Sequence, residues 1–302
     1  MAEYNAGTVK VKMTADPSGH HAAVDSIVKK EDELRQSAER ASKSYKDLGL
    51  AAGASFAAIT AGIWKATAAN NDLNKSMANV GTLMPGNIDK LQRYKKEIQD
   101  MSMEVRRGTG DLAGGLYELV SAFGDTGDTM EKLAINARAA SAGMAETTDS
   151  IKLTSAVTKA YGDISAEATQ KAADLAFMTL KLGQTSFPEL AHSIGMVTPL
   201  AAQLNMEQEE MWNIFATLTG VTGDTSKVAT QAAAILRAFI KPTKDMSDAV
   251  KELGYSSASA LLDDRGLVGA LEAVISTTDE SEEAVARLFG RAEALTAVFA
   301  LT

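Results

Sequence analysis

Residues 205–242 read NMEQEEMWNIFATLTGVTGDTSKVATQAAAILRAFIKP and carry two apolar stripes at helical spacing. The first stripe is Met211, Phe215 and Leu218, and the second is Val228, Ala232, Ile235 and Phe239. Apolar residues that recur every three to four positions indicate an amphipathic helix. Asn205 is predicted as the N-cap of the first helix, with Gln208 three residues on, and Lys241-Pro242 is predicted to end the second. The stretch therefore predicts two consecutive helices separated by a turn.

The same spacing recurs over most of residues 71–302. Further stripes are Leu112, Leu116, Leu119 and Phe123; Leu153, Val157 and Ala160; Ala168, Ala172, Leu175 and Leu182; Leu267, Leu271 and Val274; and Val285, Leu288, Ala292, Leu295 and Phe299. Gly162 and Gly183 are predicted to end two of these helices, and Ser281 to cap the last. Aromatic residues make up only 5% of the chain, which favours helices over a sandwich or barrel. We therefore predict an all-α fold, a multi-helix bundle or array.

The first 47 residues have a different pattern. Val9, Val11 and Met13 alternate with lysines, which predicts a short N-terminal strand or extended arm within residues 1–21. Residues 22–47 are predicted to form an amphipathic helix with a weak heptad repeat. Its seam, at which we expect self-association, consists of Ile27, Leu34, Ala41 and Leu48. A coiled coil and a single helix docked on a partner surface both fit this pattern.

Residues 48–70 are predicted to form an Ala/Gly-rich apolar helix. From Leu48 to Trp64 no residue is charged, and Asp47 and Lys65 bracket the stretch. Small residues that allow close helix packing recur along it, namely Gly49, Gly53, Ala58 and Gly62. Trp64 follows them at the end of the uncharged stretch and belongs to the same candidate membrane or helix-packing segment. Seventeen residues is about the shortest helix that spans a bilayer. Two interpretations stay open, a buried or self-associating helix and a segment that enters a membrane conditionally.

Residues 71–302 contain a faint internal repetition. Ala139-Ala140 and Met144 recur 62 positions later as Ala201-Ala202 and Met206, and Gly162-Asp163 recurs 61 positions later as Gly223-Asp224. A fixed period of this length is typical of stacked helical units, here about 109–182 and 185–240, followed by a C-terminal helical part. Chance similarity between Ala-rich helices is the alternative.

Residues that could support catalysis are few. The chain has no cysteine and three histidines, which excludes a thiol nucleophile and a zinc–cysteine site. Glu189 and His192 have metal-ligand spacing but lack a second such pair. Gly108–Ala113 fits a loose dinucleotide fingerprint, but a polar helical stretch precedes it where a buried strand is required. We predict no enzyme activity, cofactor or metal. The net charge of −9 also argues against specific nucleic-acid binding.

Several stretches, in this order, resemble the core region of bacteriophage tail tape measure proteins. They are Thr109–Ala113 with Leu116–Phe123, Ala139–Met144 with Thr158–Gly162, Thr185–Ala191 with Pro199–Ala202 and Ala216–Thr219, and Leu236–Thr243. The resemblance covers about three quarters of the chain, and the set is more specific than any single stretch.

The resemblance implies a structural protein in the lumen of the phage tail, and in the host cytoplasm during assembly. Such a protein sets the length of the tail tube and leaves at genome ejection. It implies further copies of the chain, the tail tube protein, tail assembly chaperones and tail-tip or baseplate proteins as partners. Transient contact with a host membrane is also implied, and a conduit formed through residues 48–64 is the alternative function. Members of the family are usually longer, and the last predicted helix runs uncapped to Thr302. We therefore expect an N-terminal fragment of a longer chain, or alternatively a truncated prophage gene.

Overall fold

The computed structural model describes residues 72–290 and 292–302. Every regular element in these ranges is helical, which confirms the predicted all-α fold. Helix α1 occupies residues 72–83. The others are α2 (Ile88–Val105), α3 (Thr109–Phe123), α4 (Thr129–Ala142), α5 (Thr147–Tyr161), α6 (Ala166–Leu182), α7 (Phe187–Ser193), α8 (Thr198–Gln203), α9 (Gln208–Thr222), α10 (Thr225–Ile240), α11 (Lys244–Glu252), α12 (Ala258–Ile275), α13 (Glu282–Phe289) and α14 (Ala292–Leu301).

The predictions for the N-terminal part of the chain all lie outside the described residues. These are the strand or arm in residues 1–21, the seam Ile27, Leu34, Ala41 and Leu48, and the apolar segment with Gly49, Gly53, Ala58, Gly62 and Trp64. They stay predictions.

The chain divides into two compact units, Met1–Arg93 and Tyr94–Thr302. In the first unit, α1 buries Leu73, Met77 and Val80, which have the three-to-four spacing of a helix that covers one face. A short turn then leads to the start of α2, where Leu91 contacts Gly81 closely enough that a Cβ there would lie 3.2 Å from a Leu91 methyl carbon.

In the second unit, α10 is the central helix. It packs against α7, α8, α9, α12, α13 and α14. Its buried side chains surround it almost completely: Thr225, Val228, Ala229, Gln231, Ala232, Ala233, Ala234, Ile235, Leu236, Ala238 and Phe239. Ser226, Lys227, Thr230 and Arg237 are exposed along one narrow polar side, and a helix that is buried on its other sides lies in or near an interior. Helices α3, α4 and α5 pack on one another, α6 packs on α4 and α5, and α9 packs on α6.

Helix ends agree with most of the sequence signals. Gly162 ends α5 with φ 79°, and α6 ends at Leu182 before Gly183, as predicted. The Ser281 side chain accepts a hydrogen bond from the backbone N–H of Ala284, which confirms the predicted cap of α13. Lys241 follows the last residue of α10, also as predicted. These ends were predictable because capping depends on a few adjacent residues.

The prediction for Asn205 is wrong. Asn205 does not begin α9 but follows the end of α8, in the left-handed region with φ 54°. Its N–H donates to the Ala202 carbonyl, and the Met206 N–H donates to the Ala201 carbonyl. This pair of bonds is a Schellman motif, in which asparagine is the usual substitute for glycine. The residue that precedes α9 is Glu207, whose side chain makes no capping hydrogen bond.

Two predicted stripes are also partly wrong. Leu182 is 63% exposed, and α6 instead buries the small residues Ala172, Ala173 and Ala176. The stripe from Val285 to Phe299 does not lie on one helix, because Gly290 ends α13 with φ 66°. Phe299, in α14, is half exposed.

Helices α5 and α9 are each 15 residues long, begin 61 positions apart and end at a left-handed glycine. The duplication of 109–182 and 185–240 nevertheless stays a prediction, because similar helix ends arise from similar local capping residues.

Candidate interaction surface

Glu189 and His192, which have metal-ligand spacing but were not predicted to bind a metal, have local structural roles. The Glu189 carboxylate accepts a hydrogen bond from the Ser186 N–H at 2.9 Å, and the Ser186 hydroxyl accepts from the Glu189 N–H at 3.4 Å. This reciprocal capping box begins α7. His192 Nδ1 lies 2.7 Å from the Pro188 carbonyl oxygen. Within the described residues, no group of three or more metal-ligating side chains is found.

Of the glycine-containing stretch Gly108–Ala113, only Gly108 lies in the turn between α2 and α3, because α3 begins at Thr109. The predicted turn between two helices therefore covers only the start of the stretch. Asp111 accepts hydrogen bonds from Arg107 Nε at 2.7 Å and from the Thr147 N–H at 3.0 Å, as well as from the Thr147 hydroxyl. Burial acts to raise the pKa of Asp111, but the hydrogen bonds from Arg107 and Thr147 outweigh burial and hold the pKa below its usual value. Arg107 also donates to the Ala145 carbonyl at 2.7 Å. The motif therefore fastens the start of α3 to the start of α5.

A buried lysine is also satisfied internally. Lys132 is 1% exposed, its Nζ lies 3.0 Å from an Asp128 carboxylate oxygen, and it lies over the Phe123 ring at 5.1 Å. One turn further along α4, the buried Asn136 side-chain oxygen accepts from the hydroxyls of Ser150 and Thr154. These groups connect α4 to its neighbours and are not open to a ligand.

A few buried polar atoms at the end of α5 and in the first turns of α9 have no hydrogen-bond partner among the described residues. They include the Tyr161 hydroxyl, Gln208 Oε1 and Trp212 Nε1. Burial raises the pKa of Tyr161, and the negative charges of Glu207, Glu209 and Glu210 add to the effect. Sequence reasoning had no signal for this cluster, because a helical stripe does not show which polar atoms become enclosed.

The second unit has a shallow groove of about 580 Å³ between α4 and α6. Ile135, Ala166 and Leu175 supply its apolar lining. Its acidic lining residues are Glu131, Glu167 and Asp174, and its basic ones are Arg138 and Lys171. Both basic side chains are engaged elsewhere, because Lys171 pairs with Glu209 at 2.9 Å and Arg138 lies 3.9 Å from Glu104.

The three acidic side chains make no ion pair within the part of the chain that the structure describes. Asp174 accepts a hydrogen bond from Gln170, one helical turn away, at 2.8 Å. The groove therefore presents unneutralised negative charge around an apolar floor.

Beyond the groove, the exposed side of α6 becomes apolar. Phe177 is 44% exposed, Met178 46% and Leu182 63%. Val221 of α9 is also exposed and follows Gly220, where a Cβ would lie 3.9 Å from the Leu182 carbonyl oxygen. We call the exposed residues 167, 170, 171, 174, 177, 178, 181 and 182 the outer face of α6. Large exposed apolar residues that adjoin a groove are typical of a binding surface.

None of the described helices is both long enough and apolar enough to cross a bilayer.

Comparison with curated proteins and with solved structures finds no match. The sequence profile of the family described as phage-related minor tail protein matches residues 95–299, which extend from α2 to α14 and make up more than two thirds of the chain. The chain therefore belongs to the family of phage-related minor tail proteins and has a structural role in the phage tail.

Proposed function

We propose that this minor tail protein is the tape measure of its phage tail. The observation that carries the proposal is the family match over residues 95–299. The same region contains the series of sequence stretches that resembles the core of tape measure proteins. The role would place the chain in the tail lumen, with further copies, the tube protein, assembly chaperones and tail-tip proteins as partners. No catalytic step is part of the proposal.

The second unit supports a folded role within that function and not the role of an extended ruler. As one continuous helix, its 209 residues would span about 310 Å at 1.5 Å per residue. A compact chain of this length has a radius of gyration of about 17 Å. Its helices fold back on one another around α10, so these residues add little to the length of a tube.

Tail length measured by negative-stain electron microscopy tests the proposal. A null mutant of the gene should give missing tails or tails of scattered length, whereas complementation should restore a uniform length. Uniform tails of normal length in the null mutant would refute the tape measure role. An in-frame duplication of residues 94–302 should lengthen tails by far less than about 310 Å, because the copy folds compactly.

A second candidate function is a membrane conduit formed through residues 48–64. The uncharged stretch between Asp47 and Lys65 is the observation that favours it. Dye release from liposomes should be lost when Ala58 is replaced by Lys within the otherwise intact chain. Equal release by the wild type and by this variant would exclude the conduit.

A further inference from the structure

We propose that the groove between α4 and α6, together with the outer face of α6, binds residues 35–48 of a second copy of this chain. The proposal does not depend on the tape measure function. It joins the surface that the second unit leaves uncovered to a segment whose sequence predicts an amphipathic helix.

The receiving surface has two parts along one helix. At its N-terminal half, Glu131, Glu167 and Asp174 surround an apolar floor and lack an ion-pair partner among the described residues. Residues 174 and 178 are neighbours on one side of α6, as are 178 and 182, because residues four apart lie one turn from each other. The acidic groove therefore continues directly into the exposed apolar side chains of Phe177, Met178 and Leu182.

The segment 35–48 reads RQSAERASKSYKDL and has the complementary character. Four of its residues are basic, namely Arg35, Arg40, Lys43 and Lys46, against the two acids Glu39 and Asp47, so that its net charge is 4 − 2 = +2. Its apolar positions, Ala38, Ala41, Tyr45 and Leu48, recur at helical spacing. As a helix its 14 residues are about 21 Å long, compared with about 25 Å for the 17 residues of α6.

The small side chains of Ala38 and Ala41 allow the segment to approach α6 closely, while Tyr45 and Leu48 can cover the exposed apolar side chains. Two copies of the chain repel each other because each has a net charge of −9. Complementary local charges are therefore needed to bring the segment to the groove and to fix its position along α6. Because one patch binds a different patch, one-way contacts build rings or filaments, whereas reciprocal exchange of the segment between two copies gives a closed two-fold dimer.

A charge swap in the full-length chain tests the proposal. The groove variant carries Glu131→Lys and Asp174→Lys, and the segment variant carries Arg40→Glu and Lys43→Glu. By sedimentation velocity, each variant alone should associate about tenfold more weakly than the wild type, since two attractive pairs become repulsive. A mixture of the two variants should associate again, because the reversed groove of one then meets the reversed segment of the other.

The matched control for the groove variant is Asp263→Lys with Glu272→Lys. It replaces two exposed acids on α12 and changes the net charge by the same amount as the groove variant does. It should associate at least as well as the wild type. Circular dichroism of every variant checks that the helices persist. A monomeric wild type, a control that behaves like the groove variant, or a mixture that fails to recover association would each overturn the proposal.

Cross-linking identifies the occupant directly, because the chain contains no cysteine. A chain with Gln170→Cys and a differently tagged chain with Ser42→Cys should form a mixed disulfide-linked dimer. A pair with Ser42→Cys and Ser259→Cys, on α12, should not. If the disulfide forms only within one chain that carries both Gln170→Cys and Ser42→Cys, the segment occupies its own groove and the contact between copies is refuted.

Discussion

Two adjacent glycines in α3 should respond in opposite directions to the same substitution. Gly114 has room for a side chain, since a Cβ there would meet only a Thr148 methyl carbon at 3.8 Å, an ordinary van der Waals distance. Gly115 faces the α3–α5 contact, where a Cβ would lie 2.5 Å from the Thr147 methyl carbon and 3.1 Å from a Leu133 methyl carbon. Alanine is about 0.8–1 kcal/mol better than glycine inside a helix. Gly114→Ala should therefore stabilise the protein by about that amount.

In Gly115→Ala the same gain is opposed by overpacking, which costs about 1–3 kcal/mol. Thr147 cannot turn away freely, because its hydroxyl donates to Asp111 in the present rotamer. We expect a net destabilisation of about 1–2 kcal/mol, since losing that hydrogen bond adds to the cost. Urea unfolding followed by circular dichroism measures both variants. Equal changes in the free energy of unfolding for Gly114→Ala and Gly115→Ala would refute the argument that α3 and α5 touch through Gly115.

Three further substitutions follow from single contacts. Asp111→Asn should lower the free energy of unfolding by about 1–3 kcal/mol at neutral pH. Because folding lowers the pKa of Asp111, this difference between the variant and the wild type is fully present above about pH 4 and should disappear as the pH falls through the folded pKa. Urea titrations at several pH values measure it. Asn205→Gly should match or exceed the wild type in stability while Asn205→Ala loses about 1 kcal/mol, since the site needs positive φ; thermal unfolding in which Ala equals Gly would contradict the Schellman assignment. Phe239→Ala should lower the free energy of unfolding by about 3–5 kcal/mol, because the ring is 1% exposed. Phe177→Ala should lower it far less and should instead weaken self-association. Similar losses of stability for both variants in urea unfolding would show that the outer face of α6 is not open.

Apolar periodicity predicted the helices of the second unit well because it reports a local requirement. A helix that packs on one side needs apolar residues every three to four positions, whatever covers them. Leu112, Leu116 and Leu119 are accordingly all buried. Helix ends at Gly162 and Ser281 were predictable for the same reason, since capping involves only neighbours in sequence.

Which apolar residues become buried depends on contacts that are distant in sequence. Leu182 continues the stripe of α6 by spacing, yet the interior side of that helix is formed by alanines that lie close to their neighbours. Close approach is visible at Gly183, where a Cβ would lie 3.0 Å from the Ala216 carbonyl oxygen. The spacing of Leu182 is the same in a buried and in an exposed position. The candidate surface on α6 could therefore not be found from sequence alone.

The contrast between α6 and α10 explains why an open face remains on this array. Both helices are rich in alanine, and both carry a phenylalanine near the C-terminal end, at Phe177 and at Phe239. Helices α12, α13 and α14 pack on α10 and leave only a narrow polar side of it exposed. Helix α6 has α4, α5, α7 and α9 as neighbours and keeps a side exposed that includes Phe177, Met178 and Leu182. In an array whose helices pack on the apolar faces of their neighbours, an apolar face stays exposed on any helix that lacks a neighbour on that side. Covering the face on α6 by a helix from another copy repeats the packing that already buries α10. Self-association through this face would thus follow from the way in which the array itself is built.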